Sequence, residues 1–463
     1  MIDLSAGIPA LHAAYAAGIS PEEMIAKVFE RFDAVGDPGI FIHLADRGNL
    51  MDEVRALGDF DPARPLWGVP FAVKDNIDVA GMPTTAACRE YEYWPEHDAF
   101  VVARLKAAGA IVIGKTNLDQ FATGLVGVRT PYPAPRNALN PAMVPGGSSS
   151  GSAVAVAHGI VSFSLGTDTA GSGRVPAALN DLVGLKPTIG ALSATGMIPA
   201  CRTLDCMSIF TRTIADAWAV FSHAAAHDEE DAYSRAFEFA EPQGLTPGLR
   251  IGVPQVDQRR FFGDGIQAAS YQAALDELAG RGAEIVEIDF APFHETADLL
   301  YEGAWVAERY AALREIMETR PEILHPVTRR IVGGAESLSA ADAFDGLYRL
   351  KALERIAQET LSGLDCLCVP TIPHFVTMAE CDADPIGPNS RLGTYTNFVN
   401  LLDLAAIAVP VAARSDGRPG NVTLIGKAGS DGFLAGIGAA IERAPVGKPE
   451  MMVSRIGKTA KAS

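Results

Sequence analysis

Short runs of β-branched and aromatic residues alternate with alanine-rich stretches between residues 66 and 188. The runs at 71–73, 111–113 and 161–165 predict strands, and the stretches at 101–108 and 152–157 predict helices. Such an alternation favours an α/β fold with a mixed, largely parallel central sheet that is covered by helices on both faces.

The same pattern returns in the second half of the chain. Strands are predicted at 249–253, 284–288 and 364–369, with a helix at 268–278, two helices between 297 and 356, and an apolar core run at 401–411. The amino-terminal part predicts two short helices. The second begins at Ser20-Pro21-Glu22-Glu23, where Ser20 and Glu23 form a capping box.

We interpret residues 1–443 as one domain with a helical, substrate-binding portion at about 290–356. Residues 224–248 are rich in charged and turn-forming residues, which is typical of an exposed connection. The tail at 444–463 has basic residues among small ones without an amphipathic period, so we expect it to be poorly ordered.

Composition excludes several classes of partner. A net charge of −18 disfavours nucleic acid and anionic lipid, and no uninterrupted apolar segment is long enough to span a bilayer. The chain does not open with a signal-peptide pattern, and its cysteines show no CxxC pair, so we expect buried thiols and a cytoplasmic location. The six cysteines are Cys88, Cys201, Cys206, Cys366, Cys368 and Cys381.

Two serine-containing glycine-rich turns carry the candidate chemistry. Ser148 lies in the run at 145–152, near the amino end of the helix predicted at 152–157, and Ser172 lies in the run at 166–174. A serine nucleophile needs a base, but His158, the one histidine beside these motifs, is one helix away and is interpreted as a packing or surface residue. Lys74, at the end of the apolar run 67–76, is the alternative base.

A lysine acts as a base only when it is neutral. At pH 7 an ordinary lysine is roughly 0.1% neutral or less, but burial lowers its pKa by several units. We expect Lys74 to be buried, with an ion pair between Asp168 and Arg174 holding the second turn. The amides of residues 169–172 are then candidates for stabilising an oxyanion.

These motifs resemble those of the amidase signature family of serine hydrolases over nearly all of residues 2–440. The resemblance implies that Lys74 is the base, that Ser148 is a bridging serine after a cis peptide at Gly147, and that Ser172 is the nucleophile. It also implies an oxyanion hole and no metal or organic cofactor. The oxyanion-hole residues would be Thr169, Ala170, Gly171 and Ser172, with Ala170 where relatives often have glycine.

The stretches 115–124, 174–180, 201–206 and 301–310 resemble the allophanate hydrolase branch in particular. That resemblance implies a small anionic amide as substrate, bound by Gly124, Tyr301 and Arg309. Tyr301 and Arg309 are eight residues apart, so on one helix both can face one pocket. The competing interpretation is that Arg309 pairs with Glu302 or Glu308 on a solvated helix face.

Relatives in this branch often continue into a carboxy-terminal domain, which we expect to be absent here. We therefore expect a partner or a separate domain to process the first product, N-carboxycarbamate, and a homodimer is possible. Another small-amide hydrolase, including a carboxybiuret hydrolase, is the alternative function.

Two further classes stay open. Residues 109–116 fit the phosphate-loop pattern GxxxxGK[ST], but the central Ala-Ile-Val-Ile favours a strand rather than a loop around phosphates. The remote alternatives are thus a nucleotide-binding protein and a catalytically silent member of an assembly.

Overall fold

A computed structural model describes Leu4 and residues 6–443, so the tail predicted at 444–463 lies outside the described residues. One sheet of eleven strands runs through this part of the chain. The strands are β1 (Phe41–Leu44), β2 (Pro70–Lys74), β3 (Ile111–Thr116), β4 (Phe163–Asp168), β5 (Val183–Lys186), β6 (Cys206–Thr211), β7 (Arg250–Pro254), β8 (Glu284–Ile288), β9 (Cys366–Pro370), β10 (Leu404–Val411) and β11 (Gly420–Lys427).

Helices fill the connections between the strands. They are α1 (Ile8–Ala16), α2 (Pro21–Val35), α3 (Arg47–Ala56), α4 (Phe100–Ala107), α5 (Ser150–Ala157), α6 (Val175–Leu179), α7 (Ile214–Ala224), α8 (Gly265–Gly280), α9 (Ala291–Glu302), α10 (Trp305–Thr319), α11 (Pro326–Gly333), α12 (Ala340–Leu361), α13 (Met378–Ala383), α14 (Gly387–Leu392), α15 (Asn397–Leu401) and α16 (Asp431–Ile441). Short 3₁₀ helices lie at Arg89–Tyr91, Gln120–Ala122, Val256–Gln258, Pro321–Ile323 and Gly334–Ser337.

The strand order is β1-β3-β2-β4-β6-β5-β10-β11-β9-β7-β8. The sheet is mixed as predicted, but the expectation of largely parallel pairing is wrong. Only β2–β3, β2–β4, β7–β8 and β7–β9 are parallel, whereas the other six neighbouring pairs are antiparallel. Two of these six pairs join consecutive strands, because β5 leads to β6 and β10 leads to β11 without a crossover helix, and such connections join antiparallel strands.

Both faces of the sheet are buried. On β10, Ala405, Ile407 and Val409 belong to one hydrophobic cluster, while Leu404 and Ala406 belong to another. Because successive side chains of a strand point to opposite faces, these two sets of side chains lie on opposite sides of the sheet. Residues of α8 and α16 pack in the first cluster, and residues of α9, α12 and α15 pack in the second, so the predicted helical cover is confirmed.

Most predicted elements of the first half of the chain are present, and so is the capping box. Ser20 Oγ accepts from the Glu23 N–H at 3.2 Å, and the Glu23 carboxylate accepts from the Ser20 N–H at 2.9 Å. The prediction of two helices between 297 and 356 is wrong, because four helices, α9 to α12, occupy this region. In the described part of the chain, every helix is too short or too polar to cross a bilayer.

The register of β2 and β4 positions the candidate site. Val73 pairs with Leu165 in parallel, so the carboxyl ends of both strands meet at one edge of the sheet. Lys74 ends β2 at this edge, and Asp168 ends β4. Ligands of α/β proteins commonly bind at this edge.

Candidate active site

The Lys74 side chain is fully buried at the end of β2. Its Nζ lies 2.7 Å from Ser148 Oγ and 2.6 Å from Thr167 Oγ1. Burial lowers the pKa of Lys74 to about 7, so a substantial fraction of this lysine is neutral at physiological pH. The carboxylates that oppose this effect are those of Asp119, Asp205 and Asp168.

Ser148 is held in a tight turn just before α5. The peptide bond between Gly147 and Ser148 is cis, as the family resemblance implies. The Gly147 N–H donates to the Leu125 carbonyl at 2.8 Å, and the Ser148 carbonyl accepts from the Asp119 N–H at 3.0 Å. A Cβ at Gly147 would collide with the Asp119 carboxylate, so only glycine fits at this close approach.

The turn that carries Ser172 is organised by Asp168. The Asp168 carboxylate accepts from the N–H groups of Gly171 at 2.8 Å and Gly173 at 3.0 Å. It also pairs with Arg174 at 2.9 Å, and both side chains are fully buried. The predicted ion pair between Asp168 and Arg174 is therefore confirmed, and it fixes the turn around Ser172.

The backbone amides of this turn do not all remain available for an oxyanion. Within the described residues, the N–H groups of Thr169, Ala170 and Ser172 have no hydrogen-bond acceptor. The Gly171 N–H already donates to Asp168, which corrects the expectation that its amide belongs to the oxyanion hole. The candidate hole thus consists of the other three amides.

The structure joins the predicted catalytic groups only in part. Lys74 and Ser148 share a hydrogen bond, but the Ser172 hydroxyl donates to the Gly124 carbonyl at 3.4 Å. The step from Ser148 to Ser172 therefore stays a prediction. Gly124, a predicted substrate residue, does lie against Ser172.

Tyr301 and Arg309 meet, although not on one helix. Tyr301 lies near the end of α9 and Arg309 in the first turns of α10, with a break at Gly303 that the residue pattern does not indicate. Arg309 Nη2 donates to Tyr301 Oη at 3.4 Å, and the guanidinium lies over the Tyr301 ring at 5.2 Å. Arg309 Nη1 donates to Thr123 Oγ1 at 3.3 Å.

Arg309 is a buried cation rather than a residue of a solvated helix face. It is 1% exposed, and among the described side chains no carboxylate forms an ion pair with it. Its Nε is buried without an acceptor. Glu308 instead accepts from the N–H and the hydroxyl of Thr203, both at 2.8 Å, while the Glu302 side chain lies outside the described residues.

Because an uncompensated buried charge is costly, this arrangement favours an anionic ligand at Arg309. This candidate anion site is adjacent to Ser172, the predicted nucleophile, since Arg309 contacts Thr123 and Ser172 contacts Gly124, the next residue along the chain.

Sequence reasoning missed three polar residues of this site. Thr167 holds Lys74, Thr123 contacts Arg309, and Asp205 accepts a hydrogen bond from the Thr169 hydroxyl. Burial raises the pKa of Asp205 to about 6. All three residues lie inside or beside the motifs described above, but their spacing does not indicate which side chains meet.

The structure agrees with the interpretations that His158 is a packing or surface residue and that residues 109–116 favour a strand. His158 caps the carboxyl end of α5, at the opposite end of that helix from Ser148, and burial lowers its pKa to about 4. In the phosphate-loop pattern, residues 111–116 form β3 rather than a loop. Lys115 is fully buried and pairs with Asp75 at 3.2 Å, so it is occupied by the protein itself.

We expect no saturable binding of ATP by isothermal titration and no effect of ATP on hydrolysis. Replacing Lys115 by Met should destabilise the fold by about 3–5 kcal/mol, because Asp75 would lose its buried partner. Thermal unfolding measures this loss, and Lys27→Met, at an exposed pair with Glu30, is the matched control. ATP binding by the wild-type chain that disappears in the Lys115 variant would contradict the interpretation.

Comparisons with known proteins agree with this geometry. A profile of the family described as Amidase matches residues 46–434. The urea amidolyase of Saccharomyces cerevisiae is 46% identical over 396 residues, which are 84% of this chain but 22% of the yeast protein. The chain therefore spans less than a quarter of that relative.

Two solved structures extend the comparison. Selenomethionine-substituted Kluyveromyces lactis allophanate hydrolase is 45% identical, with a TM-score of 0.88 over 92% of this chain and 71% of that one. The native peptide amidase from Stenotrophomonas maltophilia is 26% identical, with a TM-score of 0.78 over 95% of this chain and 98% of that one.

Proposed function

This chain belongs to the amidase family, and on that premise we propose that it hydrolyses the amide C–N bond of allophanate (urea-1-carboxylate) with release of ammonia. The predicted amidase signature fold is confirmed by the similarity to solved members of the family. The observation that carries the proposal is the buried guanidinium of Arg309 beside the Ser172 turn, which has no ion-pair partner among the described side chains. A chain with a net charge of −18 attracts anions only through such a local cation.

In the proposed first step, neutral Lys74 takes the proton of the Ser148 hydroxyl, and Ser148 takes the proton of Ser172. The 2.7 Å contact between Lys74 and Ser148 supports the first of these transfers. Ser172 Oγ attacks the amide carbon, and the carbonyl oxygen becomes an oxyanion. The free amides of Thr169, Ala170 and Ser172 are suited to stabilise this oxyanion.

The tetrahedral intermediate then loses ammonia as the C–N bond breaks, and Lys74 returns a proton to the leaving nitrogen through Ser148. This leaves an acyl ester on Ser172, which water hydrolyses by the same route in reverse order. The products are ammonia and N-carboxycarbamate. Tyr301 and Arg309 hold the carboxylate of the substrate throughout, and the planar guanidinium of Arg309 suits a carboxylate.

Arg309→Ala tests the anion site. We expect it to lower kcat/KM for allophanate by roughly ten- to a hundredfold, mainly through KM, because a buried charge-assisted hydrogen bond is worth about 1.5–3 kcal/mol. Biuret has the same length but no charge. We expect the wild type to hydrolyse biuret much more slowly than allophanate, and the Arg309 variant to change the kcat/KM for biuret little. Ammonia release measures both substrates.

The matched control is Arg314→Ala, which removes an exposed arginine from the same helix, α10. It should leave both substrates unaffected. Equal losses on allophanate and biuret in the Arg309 variant would mean that this residue does not bind the carboxylate.

Another small-amide hydrolase of the same family, such as a carboxybiuret hydrolase, is the second candidate. The same buried cation supports it, because carboxybiuret is also an anionic amide. Side-by-side ammonia release from allophanate, carboxybiuret, malonamate and simple amides decides between them. The highest kcat/KM identifies the substrate.

We extend the proposal to the organisation of the protein. Residues 1–443 constitute the amidase domain, and the helical portion at about 290–356 supplies Tyr301 and Arg309 to the substrate. A partner or separate domain processes N-carboxycarbamate, and the chain forms a homodimer. Six free, buried cysteines favour a reducing compartment, so we place the enzyme in the cytoplasm.

A further inference from the structure

We propose that Thr123 is a positioning residue that fixes the distance between the carboxylate anchor and the nucleophile. By this means it restricts the enzyme to acid amides in which a single atom separates the carboxylate carbon from the amide carbon. The inference rests on the proposed function, and it adds a selectivity for substrate length and a residue that imposes it.

Thr123 contacts the candidate carboxylate anchor, Arg309, and its neighbour Gly124 contacts Ser172. The Thr123 hydroxyl accepts from Arg309 Nη1 at 3.3 Å, and it donates to the Phe121 carbonyl at 3.2 Å. The Gly124 carbonyl accepts from the Ser172 hydroxyl at 3.4 Å. The candidate anion anchor and Ser172 therefore contact two neighbouring residues, whose Cα atoms lie about 3.8 Å apart.

A second buried arginine holds this pair of residues from behind. Arg129 is 2% exposed, and its Nη1 donates to the Thr123 carbonyl at 3.0 Å. Its Nη2 donates to the Pro385 carbonyl at 2.8 Å. On the other side of Gly124, the Leu125 N–H donates to Asn389 Oδ1 at 2.7 Å. The peptide groups on both sides of Gly124 are therefore tied to the loop that precedes α14 and to α14 itself.

The backbone before Thr123 is unusual. Phe121 and Ala122 have φ angles of 49° and 52°, in the left-handed region that non-glycine residues seldom adopt. Such residues persist where surrounding contacts impose the conformation, and they concentrate at ligand sites. A Cβ at Gly124 would collide with the Asp119 carboxylate, so this close approach leaves no space for a larger residue.

Thr123 thereby helps to orient the side chain of Arg309. Its guanidinium has only two hydrogen-bond partners among the described residues, the hydroxyls of Tyr301 and Thr123. Without the Thr123 hydroxyl, the guanidinium can rotate about the remaining contact. The carboxylate anchor would then lose its fixed distance from Ser172, and longer substrates would compete better.

The test compares Thr123→Val, which keeps the branched shape but loses the hydroxyl, with Thr123→Ser, which keeps the hydroxyl. Steady-state kinetics use malonamate, the longer succinamate and neutral malonamide. We expect the wild type to prefer malonamate over succinamate by at least about a hundredfold. In Thr123→Val, kcat/KM for malonamate should fall about tenfold, mainly through KM, while malonamide changes by less than about threefold. Thr123→Ser should stay close to the wild type.

Ratios of substrates measured on one preparation do not depend on the fraction of folded enzyme, so a destabilised variant still gives a result. Equal losses on malonamate and malonamide would assign Thr123 a merely structural role and overturn the inference. An unchanged ratio of kcat/KM for malonamate to that for succinamate in Thr123→Val would also overturn it. So would a wild type that does not discriminate against succinamate. If the wild type hydrolyses none of the carboxylate-bearing amides, the proposed function itself fails instead.

Discussion

Replacement of Ser172 by alanine is expected to lower ammonia release by at least about a thousandfold and to abolish covalent labelling by an activated acylating probe. The variant lacks the Ser172 hydroxyl, which the Asp168 turn presents beside the free amides of residues 169, 170 and 172, whereas the Thr169 hydroxyl of the same turn is bonded to Asp205. The fold should persist, because the Ser172 hydroxyl makes a single long contact at 3.4 Å. Intact-mass spectrometry measures the acyl adduct.

Ser164→Ala is the matched control for this experiment. Ser164 is also fully buried and lies on β4, but its hydroxyl donates to the Ser152 carbonyl and not toward the turn. This variant should keep both turnover and labelling. Labelling that survives in the Ser172 variant would move the nucleophile elsewhere, and a wild type that never reacts would favour a catalytically silent member of an assembly.

The sequence is sufficient to place Lys74, Ser148 and the Asp168–Arg174 pair because each follows from local pattern. An apolar strand that ends in one lysine predicts a buried lysine only together with the two serine-containing turns, and glycines around a serine predict a tight turn. The acidic and basic residues that flank the second turn are six residues apart, close enough to meet within one turn. Local signals of this kind do not depend on how distant elements pack.

The sequence predictions that the structure contradicts concern features that depend on the packing of residues distant along the chain. Local alternation predicts parallel pairing, yet β5 pairs with β6 and β10 with β11 in antiparallel fashion, because neither connection carries a crossover helix. The glycine-rich turn predicts a free amide at Gly171, but the Asp168 carboxylate accepts from it.

The role of Thr123 does not follow from local pattern, because it depends on Arg309, which is 186 residues away along the chain. Its signal is conformational, since Thr123 follows two residues in the left-handed region. No residue type at those positions indicates this conformation in the sequence.

Replacement of Lys74 by methionine is expected to lower kcat at least about a hundredfold, the usual scale for a lost general base. Ser148→Ala should cause a similar loss. The pH profile identifies the base: with a pKa of about 7, wild-type kcat/KM should rise with pH up to about 7 and then level off, because only neutral Lys74 accepts a proton. An ascending limb near pH 7 that persists in the residual activity of the methionine variant would assign it to another group.

The same variant should gain stability at acidic pH. Burial lowers the pKa of Lys74 from its ordinary value of 10.5 to about 7, so between these pH values the unfolded chain binds a proton that the native state lacks. Wild-type stability therefore rises with pH across this window, and below pH 7 the full cost of the buried charge is present, at about 1.4 kcal/mol for each pKa unit.

Lys74→Met removes that cost, so its free energy of unfolding should exceed that of the wild type at pH 6, and the difference should shrink toward pH 10. Urea unfolding at the two pH values measures the difference, and a methionine variant that is less stable at pH 6 would mean that the hydrogen bonds of Lys74 to Ser148 and Thr167 outweigh its burial.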